Sequence, residues 1–130
     1  VDQGSGSAMT SLGVMYENGH GVAKDGEQAA DLYRRAASLG LPEAMLNLGC
    51  LISDGDGVPK DPVDGFAWID LATSLTNFEK DMRVKWTIRA AFDDYGKRLT
   101  PEQRSAADKL ADERAKGLRA KSQQPASSTQ

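Results

Sequence analysis

The stretch Gly19-His20-Gly21-Val22-Ala23-Lys24-Asp25 occurs twice in this chain, returning as Gly55-Asp56-Gly57-Val58-Pro59-Lys60-Asp61 at an offset of 55 − 19 = 36 residues. The match extends on both sides. Gly4, Ala8, Leu12 and Gly13 recur as Gly40, Ala44, Leu48 and Gly49 at the same offset. Two copies of a unit this long are the mark of a stacked repeat array, in which each unit buries its apolar face against the next.

Each copy reads as helix, glycine loop, helix. Ala8, Leu12, Met15 and Tyr16 fall at i, i+4, i+7 and i+8, the apolar stripe of a first helix. Gly19, Gly21, Gly55 and Gly57 suit left-handed turns, which glycine adopts without a Cβ penalty. Asp25 is placed to cap the second helix, with Gln28 three residues on as its capping partner. In copy two Asp61 caps and Pro62 takes the first helical position, where a missing N–H does no harm. The spacing predicts first helices over 7–18 and 43–54, and second helices over 26–39 and 62–74. Gly13 and Gly49 should let paired helices approach closely.

The pattern Ala-x-x-x-Leu-Gly-x-x-Tyr-x-x-Gly-x-Gly-Val-x-x-Asp-x-x-x-Ala-x-x-(Tyr/Trp)-x-x-Ala resembles the Sel1-like repeat, a relative of the tetratricopeptide repeat. It covers roughly residues 4–74, as copies 4–39 and 40–74. Ile52, Gly65 and Thr73 depart from it where copy one has Tyr16, Ala29 and Ala37. The resemblance implies an all-α αα-superhelix whose members mostly bind other proteins, and it implies no reaction. It also leans toward a periplasmic or exported bacterial protein.

After Ser74 no third glycine loop follows. Phe78 to Tyr95 reads as a longer helix, with Val84, Ile88, Ala91, Phe92 and Tyr95 on one face and Gly96 as its stop. Thr100-Pro101-Glu102-Gln103 is a capping box that opens a last helix, ending near Gly117. Such an ending is similar to the tail of many bacterial Sel1-like proteins. Residues 75–118 are therefore expected to cap the array, because a terminal repeat must have its apolar face covered. Residues 119–130 are expected to form a disordered tail, with no apolar period from 121 onward.

Composition narrows the function. With 27% charged residues and a mean hydropathy of −0.51, the chain has a soluble composition and no apolar run of membrane-span length. Val1-Asp2-Gln3-Gly4 is not a signal peptide, and Gly4 matches the helix-closing Gly40, so the expectation is a fragment of a longer protein. Residues 1–75 carry 4 Lys+Arg against 11 Asp+Glu, a net of −7; residues 96–130 carry 8 against 4, a net of +4. The acidic repeats favour a basic partner. The basic end lacks interleaved aromatics for base stacking, so nucleic acid is not expected.

The glycine loops bind no cofactor on this reading. Neither ends in Gly-Lys-Ser/Thr, as a phosphate loop must, and neither follows a strand, as a dinucleotide fingerprint must. Asp54-Gly55-Asp56-Gly57 puts glycine fourth rather than sixth, and position twelve is Gly65 rather than glutamate, so it is no EF-hand. His20 is the one histidine and has no nucleophile beside it in sequence. Asp93-Asp94 and Asp112-Glu113 are adjacent on helices and diverge. No catalytic, metal or cofactor residue is expected.

What remains is a surface. First helices of the tetratricopeptide superfamily line a concave groove, and the position before Leu-Gly is Ser11 in copy one and Asn47 in copy two. An asparagine amide there can donate to and accept from an extended peptide. Thr10, Val14, Leu46 and Cys50 flank these two, Cys50 standing where copy one has Val14. The expectation is a non-enzymatic scaffold that binds a protein or peptide. The alternatives are a hydrolase acting on cell-wall or lactam-type substrates, or a structural spacer between domains.

Overall fold

The computed structural model describes residues 3–76 and 82–122. These residues form helices and no strand: α1 (Gln3–Asn18), α2 (Gly26–Ser38), α3 (Pro42–Asp54), α4 (Pro62–Leu75), α5 (Met82–Gly96) and α6 (Pro101–Ser122). α1 pairs with α2 and α3 with α4; α2 stacks on α3, and both α5 and α6 pack on α4. The chain is an all-α superhelix of two hairpin repeats closed by two further helices.

The two loops are built by the same bonds 36 residues apart. Asp25 accepts from the N–H groups of Glu27 and Gln28 at 3.1 and 3.2 Å, and Asp61 accepts from that of Asp64 at 3.0 Å. The Asp25 N–H donates to the Tyr16 carbonyl at 2.9 Å, and the Asp61 N–H to the Ile52 carbonyl at 3.0 Å. The start of each second helix is thereby tied to the end of the first, and the return arm expected from Gln28 is not used. Gly19, Gly21, Gly55 and Gly57 all have φ between 68° and 78°. A loop that reverses direction in so few residues needs that left-handed backbone.

Close packing explains the other glycines. A Cβ on Gly13 would collide with the Tyr33 ring, and one on Gly49 with the Gly65 carbonyl and Ile69. Helices in each hairpin therefore meet backbone to side chain in copy one and backbone to backbone in copy two. The second arrangement leaves the Ser53 hydroxyl buried against Gly65 without a partner among the described residues. Tyr33 is wholly buried, and its hydroxyl donates to Glu17 at 2.7 Å, which satisfies the polar end. Burial first, and then Glu17, push that hydroxyl above its ordinary range.

Repeats meet through glycine as well. Gly26 opens α2 directly against the backbone of Asp56 and Gly57 in the second loop, with no room for a Cβ on either glycine. The equivalent position in copy two is Pro62 (26 + 36).

The cap is fastened by aromatics and arginines. Phe66 of α4 and Phe92 of α5 lie 5.2 Å apart, and the Arg104 guanidinium of α6 sits 4.9 and 5.0 Å from their ring centres. Arg114 lies 4.1 Å from the Trp68 ring and forms a half-buried ion pair with Asp64. Thr100 and Gln103 cap α6 reciprocally, at 3.0 and 3.1 Å.

One expectation changes, one lies outside the described residues, and one apolar stripe stands open to solvent. α6 runs past Gly117 to Ser122, so residues 119–122 continue the helix; with no Cβ contact and no positive φ, Gly117 does not act as a stop. α5 is described from Met82, and the expected lead-in at Phe78 lies outside the described residues, as do residues 123–130. Finally, Ala8, Leu12 and Met15 of the α1 stripe are exposed.

Candidate partner-binding groove

α3 and α5 run side by side, and between them lies a cleft of about 380 Å³ lined by Glu43, Leu46, Asn47, Arg83, Val84 and Thr87. α3 contributes Glu43, Leu46 and Asn47 to this lining, and α5 contributes Arg83, Val84 and Thr87. The Thr87 hydroxyl donates to the Arg83 carbonyl at 2.8 Å, whereas the Asn47 amide, half-buried, is bonded to none of the described residues. An amide so placed has two donors and an acceptor to offer.

The other expected groove residues divide. Ser11 stands exposed on α1, and Val14 is exposed beside it. Thr10 does not belong with them. It is buried, and its hydroxyl donates to the Gly6 carbonyl at 2.8 Å inside α1. A β-branched hydroxyl bonding back to the residue four earlier is a common way to bury threonine in a helix. Leu46 is buried in the main apolar cluster and shows only an edge to the cleft. The cleft thus gathers Leu46 and Asn47 with α5; Thr10, Ser11, Val14 and Cys50 do not line it.

Cys50 is half-buried one turn further on, at a polar cluster between the ends of α3 and α5. The Tyr95 hydroxyl donates to Asp54 at 2.8 Å, and Arg98 lies 4.4 Å over the Tyr95 ring while pairing with Asp94 at 2.8 Å and Asp54 at 3.7 Å. Burial pushes the Cys50 thiol up to about 11, and burial with the Asp54 bond raises Tyr95 above its usual range. The thiol is therefore protonated at neutral pH. Among the described residues no three His, Cys, Asp or Glu side chains converge into a metal-ligand set, and no helix is long and apolar enough to cross a membrane.

Sequence reasoning missed the α5 wall and the Tyr95–Asp54–Arg98 cluster. α5 carries no copy of the repeat motif, so internal repetition gives no sign of its place in the cleft.

Comparison with known proteins decides the family. A model of the Sel1 repeat matches residues 6–41 and again 42–77, more than half of the chain. The chain is a Sel1-repeat protein. Among solved structures, this Sel1-repeat chain is similar to a protective antigen of uropathogenic Escherichia coli strains displaying an SLR fold. The two share 33% identity over 85% of this chain at a TM-score of 0.72. It is also similar to a Sel1 repeat protein from Oxalobacter formigenes, with 29% identity over 70% of the chain and a TM-score of 0.50. The chain spans 22% and 44% of those two chains, respectively. It has no match among proteins with curated annotation. Sel1 solenoids generally serve as scaffolds for protein–protein interaction.

Proposed function

We propose that this Sel1-repeat protein is a non-enzymatic scaffold that holds an extended protein segment along its first helices, with Asn47 as the polar anchor. The observation that carries the reading is the Asn47 amide, bonded to none of the described residues, at the wall of an open cleft floored by Leu46 and Val84. Apolar floor and such an amide together suit a peptide backbone, whose N–H and C=O groups repeat at the spacing an amide can bridge. Ser11, 36 residues earlier on α1, extends that line beyond the cleft itself, with Val14 exposed beside it. The net charge of −7 over residues 1–75 supports a basic partner.

The hydrolase alternative finds little to work with. Cys50 is a protonated thiol, and the raised carboxyl Asp70 faces α6 rather than the cleft. The spacer reading would need the cleft to be filled, whereas α5 forms one wall of it and leaves it open.

The test is a pull-down with the full-length protein followed by calorimetry on the partner obtained. Asn47→Ala should weaken binding by about 1–2 kcal/mol with the fold intact. Association should slow as salt rises. Unchanged affinity would place the binding surface elsewhere, and a salt-insensitive rate would remove the basic partner.

A further inference from the structure

α5 borders a second cleft, which shares no lining residue with the groove. It lies between Thr73 and Thr76 at the end of α4 and Met82, Lys85, Trp86 and Arg89 on α5, with a volume of about 240 Å³. Both threonine hydroxyls are already engaged, donating to the Ile69 and Thr73 carbonyls at 3.0 and 2.9 Å. The walls they leave are mainly apolar. Trp86 forms one of them and is 77% exposed, with Met82 beside it at 69%. Trp68 is covered by the Arg114 guanidinium, whereas no ring or cation among the described residues stacks on Trp86. An aromatic side chain left this open, with methionine and arginine around it, has the composition of an interface core.

Charge says what kind of partner fits. Lys85 makes no ion pair or hydrogen bond among the described residues. Arg89 pairs with Asp93 at 3.6 Å, with both side chains more than half exposed. A pair of that kind is worth little and opens readily to another anion. Among the described residues no Asp or Glu lines the cleft. Residues 76–92 carry four Lys+Arg against two Asp+Glu, a net of +2, where residues 1–75 carry −7. The cleft is a cationic spot beside an acidic surface, and it draws anions.

We propose that this cleft docks an acidic protein segment, which seats one leucine or phenylalanine side chain against Trp86. Carboxylates on either side of that side chain meet Lys85 and Arg89. The volume suits one such group, since a cavity of about 150 Å³ takes a benzene molecule. A bilayer would call for apolar side chains that stand out from the surface. Trp86 and Met82 instead wall a hollow that admits a single side chain. The site uses none of the groove residues and asks for the opposite charge in its partner, so it stands independently of the Asn47 groove.

The test is a selection of random displayed peptides on the full chain, after depletion on its Trp86→Ala variant. Enriched peptides should carry a leucine or phenylalanine flanked by Asp or Glu, and a synthetic copy of the most enriched one then serves as the probe. Trp86→Ala should weaken its binding about tenfold or more. Lys85→Glu and Arg89→Glu should each weaken it about threefold or more, with melting curves like the parent's. Asn47→Ala should leave it unchanged. No enrichment over Trp86→Ala, basic or uncharged flanks, or equal affinity in all variants would overturn the proposal. So would a parent chain that sediments with vesicles of phosphatidylcholine and phosphatidylglycerol while Trp86→Ala does not, because the occupant would then be an anionic bilayer. A parent dimer that Trp86→Ala makes monomeric would overturn it too, since a second copy would fill the cleft.

Discussion

Gly21→Ala and Gly57→Ala are the same change at equivalent positions, and the structure requires them to differ. Both glycines have φ of 78°, where any Cβ costs about 1–2 kcal/mol. Their surroundings are unlike. A Cβ on Gly21 would touch only the terminal methyl of Met15 at 3.5 Å, an ordinary contact. On Gly57 it would stand 3.0 Å from the Gly26 Cα and 3.1 Å from the Gly26 nitrogen. Main chain at the capped start of α2 cannot rotate aside as a side chain can, so the contact between repeats must open, at about 1–3 kcal/mol. Gly21→Ala should therefore lose about 1–2 kcal/mol and Gly57→Ala about 2–5 kcal/mol. Urea unfolding followed by circular dichroism measures both, with the m-value checked for constancy. Equal losses would refute the contact between the loop of one repeat and the helix start of the other. No loss in either would refute the left-handed turn itself.

Two further outcomes follow from the cap. Asp70 of α4 is pushed up to about 7 from 3.8, chiefly by burial and then by the neighbouring carboxyl Asp108, with Arg104 opposing. The folded chain thus keeps a proton that the unfolded chain releases, and stability falls as pH rises from about 4 to about 7. Asp70→Asn should match the parent near pH 4 and exceed it by about 1–2 kcal/mol near pH 8, after discounting for solvent screening. A constant difference across that range, read by thermal melts, would contradict the assignment. Stopping the chain after Ser74 would uncover Phe66 and Trp68 on α4, and the product should aggregate or lose its near-ultraviolet dichroism; a folded, monomeric product would show that α5 and α6 are not a cap.

Much of this architecture was legible because repetition speaks twice. Each loop glycine, each capping aspartate and the Gly13/Gly49 pair had an equivalent at 36 residues, so backbone demand could be told from chance. The capping box at Thr100 and Gln103 was legible for a local reason, since its bonds close within four residues. Gly26 was not, because its partner Gly57 lies in the next repeat and copy two has Pro62 at that point. Thr10 read as a groove residue from its neighbours, but its hydroxyl could turn inward to Gly6, a choice that spacing does not record. α6 outran Gly117 since a glycine in a solvated helix is tolerated when no contact or turn requires otherwise. The α1 stripe was read correctly as apolar, yet whether a stripe is covered depends on a neighbour rather than on the stripe. The α5 wall was not legible because α5 carries no copy of the repeat motif.

The central claim is that a partner lies along the first helices with Asn47 as its anchor. The most direct measurement is a nuclear magnetic resonance titration of the labelled chain with the partner obtained by pull-down. The account predicts that the Asn47 side-chain amide signals shift most, together with the backbone signals of Glu43, Val84 and Thr87, while those of α2 stay in place. Shifts confined to the outer faces of α2, α4 and α6, with Asn47 unmoved, would contradict it.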